Sequence, residues 1–169
     1  MIDAGVQSFK IEGRVKSAYY VGATVNAYRR ALDMYKSGGF SDKDKLTTLY
    51  GELNKTGSRG FTEGFYINGK YQKEMQNLET SKPAQDAVFA AVVLGYDKGK
   101  GAVLVEQRNR FKVGDVLEIV SPKRLGEKIV VTEIYDEKGN SITDALLVQQ
   151  KLRIKTDVIL EENDILRLM

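Results

Sequence analysis

The 169-residue sequence contains no cysteine and no histidine. Without cysteine there are no disulfides, no thiolate nucleophile and no cysteine-held iron–sulfur cluster. Without histidine there is no Ser–His–Asp or Cys–His system and no imidazole ligand for zinc. A metal site would have to be assembled from carboxylates, carbonyls and amides, and no cofactor is expected in this chain. Apolar runs of the ~18–20 residues that span a bilayer are missing, so no membrane partner is expected. The opening MIDAGVQSF lacks the basic-then-apolar plan of a signal peptide, and cytoplasm is the default compartment. Excess charge is also scarce. A net charge of +3 is too small to claim a nucleic-acid partner by itself. It is unevenly placed: residues 1–80 hold 12 basic and 9 acidic side chains, whereas residues 81–169 hold 14 of each.

What is present falls into two dissimilar halves. In SFKIEGRVKSAYYV (residues 8–21), Lys10, Glu12 and Arg14 alternate with Phe9 and Ile11. That alternation predicts a strand with three charges on one face. From Ser17, an expected N-cap, the period changes. Val21, Val25, Tyr28, Leu32 and Tyr35 form one helical stripe over about residues 18–37, closed by Gly38 and Gly39. An aromatic stripe at this spacing reads as core. A second helix is expected over 42–54, with Ser41 as its N-cap and Leu46, Leu49, Tyr50 and Leu53 on its apolar face. The following TGSRGFTEGFYING (56–69) is glycine-rich without the Gly-Lys-Ser/Thr of a Walker A loop. It reads either as a binding loop or as a connector packed by its aromatics. A lone strand has no neighbour for its backbone hydrogen bonds, so this half reads as a piece of a larger α/β layer.

Beyond a polar linker ending near Pro83, short β-rich runs recur at 88–96, 102–105, 116–119, 129–135, 152–156 and 165–168. Turn signals separate them: DKGKG, KVGD, DEKGN and EEND. DEKGN predicts a hairpin with Gly139 at positive φ. KVGD and EEND share one turn logic ahead of a strand, a punctuation used by small translation-factor-type barrels. The pattern predicts a small closed antiparallel barrel. In QRNRFK, Arg108, Arg110 and Lys112 alternate. They read either as a solvated strand end or as a basic ridge for phosphate or an acidic partner.

Together SFKIEGRVKSAYYV, YRRALD, SRGFTEGF, QRNRFKVGDVLEI and ENDILR resemble, in order and over nearly the whole chain, the U32 (collagenase-like) peptidase family, and specifically its C-terminal part. The resemblance implies an α+β chain. Residues 1–80 would be the strand–helix–helix end of a TIM-like α/β domain, and 81–169 an appended small β-barrel. Family members are linked to proteolysis, including collagen degradation. Relatives act in RNA and cofactor hydroxylation through cysteine-held clusters that this chain lacks, so whether this chain is an enzyme is left open and a parent's activity does not carry over as an intact site. What carries over is local. Lys10, Glu12 and Arg14 match a K-x-E-G-R motif, and Arg59 with Gly60 matches an R-G motif. In a parallel barrel the first three would point inward, towards substrate or into a structural ion-pair network. Three roles follow: a noncatalytic accessory portion acting on a protein or peptide substrate of its parent, an RNA-binding accessory domain, or a self-association module using the first helix.

Overall fold

The computed structural model describes residues 1–57 and 86–169. The glycine-rich loop's Arg59 and Gly60, and the linker at Pro83, lie outside the described residues.

Helix α1 spans Ala18–Lys36. Ser17 caps it, its Oγ accepting from the N–H of Tyr20 at 3.2 Å. Helix α2 spans Lys43–Asn54, and its cap is Asp42 rather than Ser41. The Asp42 carboxylate accepts from the N–H of Lys45 at 3.1 Å, and that bond holds its pKa below the usual range. The expected opening strand is absent. Residues 6–13 run without helix or strand and turn over at Arg14, and among the described residues no strand pairs with them to take their backbone hydrogen bonds. The amino-terminal region is therefore two helices with a leading coil.

The remainder forms β1 (Val88–Asp97), β2 (Ala102–Gln107), β3 (Phe111–Lys112), β4 (Val116–Val120), β5 (Lys128–Val130), β6 (Ile134–Tyr135), β7 (Ser141–Ile142), β8 (Asp144–Ala145), β9 (Lys151–Lys155) and β10 (Ile165–Leu168). Eight of these make one antiparallel sheet in the order β5-β4-β10-β1-β2-β9-β6-β7, and β3 pairs with β8. The run 129–135, expected as one strand, is broken. Val130 pairs with Val116 at one end of the sheet, and Ile134 pairs with Ile154 near the other. Three residues bridge the two ends, so the sheet must curl until they approach. It does not close, since β5 and β6 share no ladder. The architecture is an open, curled half-barrel, not the closed barrel the strand pattern predicted.

The concave side holds one core that includes Val93, Val103, Leu117, Ile154 and Leu166, all fully buried. KVGD and EEND do repeat one turn. In each, the terminal aspartate (Asp115, Asp164) accepts from the N–H three residues earlier, at 2.8 and 3.0 Å. The preceding residue sits in the left-handed region, Gly114 at φ 94 and Asn163 at φ 71. Glycine and asparagine tolerate that region best. These twin turns launch β4 and β10, which pair with each other. At DEKGN, Gly139 has φ 87 and joins the β6–β7 hairpin, as expected.

α1 lies across the outer side of this sheet, but not with its large apolar stripe. Its buried residues are Tyr19, Ala23, Thr24 and Ala27. Tyr19 and Ala23 pack with Ala87, Val120 and Ile165. Small residues let the helix come close: a Cβ on Gly22 would sit 3.0 Å from Ile165. Val21, Val25 and Tyr28 face away, at 38–46% exposure, against a leading coil that brings Ile2, Val6 and Phe9 to the same groove. Tyr50 of α2, expected on its inner face, is also half exposed.

Candidate functional site

Where the helices meet the sheet lies a buried group of charges. Arg167 on β10 is fully buried, Glu118 on β4 is 3% exposed and Glu52 on α2 is 6% exposed. The Arg167 guanidinium donates to Glu118 at 2.8 Å and to Glu52 at 2.8 Å. It also reaches the hydroxyl of Tyr19 at 3.3 Å, and that hydroxyl donates to the Lys55 carbonyl at 3.0 Å. The Lys55 ammonium lies 2.9 Å from Glu52 and 3.4 Å from Glu118. Two cations thus face two carboxylates, and the group is neutral as a whole. Burial by itself would raise the pKa of Glu118, but the hydrogen bond and charge of Arg167, helped by Lys55, outweigh it and hold the carboxyl low. Burial raises the pKa of Tyr19. Arg167 stays charged: its carboxylate partners overcome the effect of burial. All polar ends here are engaged with one another save the Arg167 Nε, which has no acceptor. Such a cluster ties β10 and β4 to both helices.

A second clamp lies beside it. From α1, Arg30 donates to the carbonyls of Ser121, Pro122 and Arg124 at 3.0–3.2 Å. Asn26 donates to Ser121 as well, at 3.1 Å. One arginine of YRRALD therefore grips the loop after β4, while Arg29 only bridges to Asp33 along the helix.

Lys10, Glu12 and Arg14 lie on the surface. Lys10 and Glu12 are 3.9 Å apart with side chains 87% and 66% exposed. Glu12 accepts from the backbone N–H of Arg14 at 2.9 Å. Gly13 between them has a local reason: a Cβ there would lie 2.6 Å from Val21, so the turn crosses α1 too closely for a side chain. In the basic ridge, Arg108 pairs with Glu106 at 2.6 Å and lies over the Phe89 ring. Arg110 makes a two-pronged contact with Asp144 at 3.1 Å, which lowers the Asp144 pKa. Lys112 is exposed, with its backbone N–H in the Asp115 turn. Among the described residues, no three carboxylates cluster closely enough to hold a metal ion, and no helix is long and apolar enough to cross a membrane.

Family comparison divides the chain much as the fold does. Residues 1–76 match the family described as Peptidase family U32, and residues 85–167 match the Peptidase family U32 C-terminal domain. The chain belongs to peptidase family U32. Within this U32 family, "tRNA hydroxylation protein P1" of Bacillus subtilis is 32% identical over 99% of this chain and 39% of its own length. "tRNA hydroxylation protein P" of Escherichia coli is 39% identical over 70% of this chain and 25% of its own. This U32 chain thus spans about two fifths or less of these relatives. Among solved structures, the C-terminal domain of a protein described as a U32 peptidase, from Geobacillus thermoleovorans, is 35% identical. It covers 47% of this chain and 98% of that one, with a TM-score of 0.45. The curled sheet lies within the residues matched by the U32 C-terminal domain, the family's accessory domain.

The charge cluster at Arg167 was missed by sequence reasoning. Its members come from GELN, VLEIV and DILRL, where Glu52 passes for a solvent-facing helix charge and Glu118 and Arg167 for outward-facing alternate strand residues. The available signal was a lone charge inside an otherwise apolar strand.

Proposed function

We propose that this chain is the noncatalytic C-terminal portion of a U32-type protein, and that its half-barrel positions a macromolecular substrate for chemistry performed elsewhere in the family's length. The observation that carries this reading is the buried Arg167–Glu52–Glu118 group. It ties the helices matched by one family description to the sheet matched by the other, and a positioning module needs such a fixed mount. On this reading residues 1–80 are the end of a TIM-like α/β domain and 81–169 the accessory unit. Lys10, Glu12 and Arg14, with Arg59 and Gly60, would border substrate once the rest of that domain surrounds them. The chain by itself is expected to hydrolyse neither gelatin nor peptides. Hydrolysis by a clean preparation, abolished by Glu12→Gln, contradicts the proposal.

Of the two substrate classes, protein and RNA, the second has a specific observation behind it. The relative matched across 99% of this chain carries tRNA hydroxylation in its name. An RNA-handling accessory module would bind tRNA with an affinity that falls steeply with salt, because phosphate contacts release counterions. Undetectable or salt-independent binding in a filter assay counts against it. Self-association is the remaining role, resting on the outward Val21, Val25, Tyr28 and Leu32 face.

A further inference from the structure

The sheet half of the chain holds equal numbers of acids and bases, yet its surface is not evenly neutral. Many of its carboxylates are committed. Asp97, Asp115, Asp136 and Asp164 fold back onto backbone N–H groups of their own turns. Glu118 is buried on Arg167, while Glu106 and Asp144 hold Arg108 and Arg110. The ridge picked out by alternation in QRNRFK is thereby largely neutralised.

A different strand carries three cations in a row without carboxylate partners among the described residues. In β9, KLRIK, Leu152 and Ile154 point into the core with no exposure. Lys151, Arg153 and Lys155 therefore share the outer face. None of the three has a carboxylate partner among the described residues. Lys155 donates instead to the Lys100 carbonyl at 2.7 Å, which draws the β1–β2 turn, with exposed Lys98 and Lys100, to the end of the stripe. The ladders place Leu104 beside Arg153 on one side and Tyr135 on the other. Of the acids near this face, Glu106, opposite Lys151, holds Arg108, while Glu133 accepts from the neutral Tyr135 hydroxyl and keeps its charge at the edge of the stripe.

We infer that this outer face of β9, continued by the β1–β2 turn, is a docking surface for the sugar–phosphate backbone of an RNA strand. Alternate residues of a strand are about 6.6–6.8 Å apart, a step comparable to that between successive phosphates of an extended chain. The strand is central in its sheet, so the spacing is rigid. Arg153 offers the planar fork that suits phosphate oxygens, and Tyr135 beside it offers a ring on which a base can stack. An acidic peptide would use the charges but not the ring.

This inference rests on the RNA reading above, and the test separates the two. Anisotropy titrations use the full chain, a labelled tRNA transcript, and 50 and 200 mM salt. The Lys151→Gln/Arg153→Gln/Lys155→Gln variant should lose affinity on the order of tenfold, and its log–log salt slope should fall by about two. Lys98→Gln/Lys100→Gln, which leaves β9 untouched, should lower the slope by about 1.5, and Arg110→Gln should change little. Thermal melts confirm that each variant is folded. If Arg110→Gln weakens binding while both other variants bind like the unmodified chain, the site is wrong and the RNA reading stands. If the unmodified chain binds no tRNA, both fall. Binding of polyglutamate in place of tRNA overturns the inference in favour of an acidic protein partner.

Discussion

The two regions of this chain are stabilised in opposite ways. The curled sheet encloses its own core, with fully buried residues contributed from β1, β2, β4, β6, β9 and β10. The helices enclose almost nothing between themselves. Their buried side chains are few, and beside the small apolar contact of Tyr19 and Ala23 with the sheet what anchors them is polar: Arg167 to Glu52, Tyr19 to Arg167, and Arg30 to the loop after β4. The sheet can therefore stand without the helices, but the helices depend on the sheet. A polar mount of this kind fixes position more than it adds stability, which is the property a positioning module requires.

The largest effect that would break this contrast is at Arg167. Replacing it with Met leaves Glu52 and Glu118 buried without their main partner, and a loss of about 3–5 kcal/mol is expected in denaturant unfolding. Ile154→Ala, in the sheet core, should cost about 2–5 kcal/mol and should weaken both regions, because the helices rest on the sheet. Acid acts on the same buried charges. The folded-state pKa of Glu118 is depressed, so its contribution is present above the unfolded value of about 4.3. That contribution is lost as pH falls through the lower folded value. Melting followed between pH 6 and pH 3 should show a decline that Glu118→Gln flattens. The twin turns offer a smaller test. Asp115→Ala and Asp164→Ala should each cost about 1–2 kcal/mol, because each removes the carboxylate that accepts from a backbone N–H of its turn. Smallest is Tyr28→Ser on the outward face, expected within about 0.5 kcal/mol. If self-association uses that face, the solution mass by light scattering falls while stability does not.

How much of this was legible in the sequence follows the same division. The strands at 88–97, 102–107, 116–120, 151–155 and 165–168 could be read because burial on one side imprints alternation, and the KVGD and EEND turns because their geometry is local. The closed barrel could not be decided. Val130 and Ile134 sit in one apolar run, and nothing in that run says that they serve opposite ends of an open sheet. Capping chemistry placed the start of α1 at Ser17 and missed that of α2 by one residue, Asp42 for Ser41, and the buried face did not follow from it. Val21, Val25, Tyr28 and Leu32 make the stronger stripe, and the helix instead seats Ala23 and Ala27 because only small residues allow α1 so near Ile165. The strand expected from Lys10, Glu12 and Arg14 failed for want of a neighbour, as a two-period pattern records faces and not partners. The site at Arg167 joins residues 49 and 115 positions apart, a relation that no local pattern carries.

Native-state hydrogen exchange on Arg167→Met shows whether the buried charges hold the helices to the sheet. If the buried charges mount the helices on a self-sufficient sheet, amides of α1 and α2 should lose protection by orders of magnitude while those of β2 and β9 keep most of theirs. Equal loss across helices and sheet, or helices that remain protected, would contradict it.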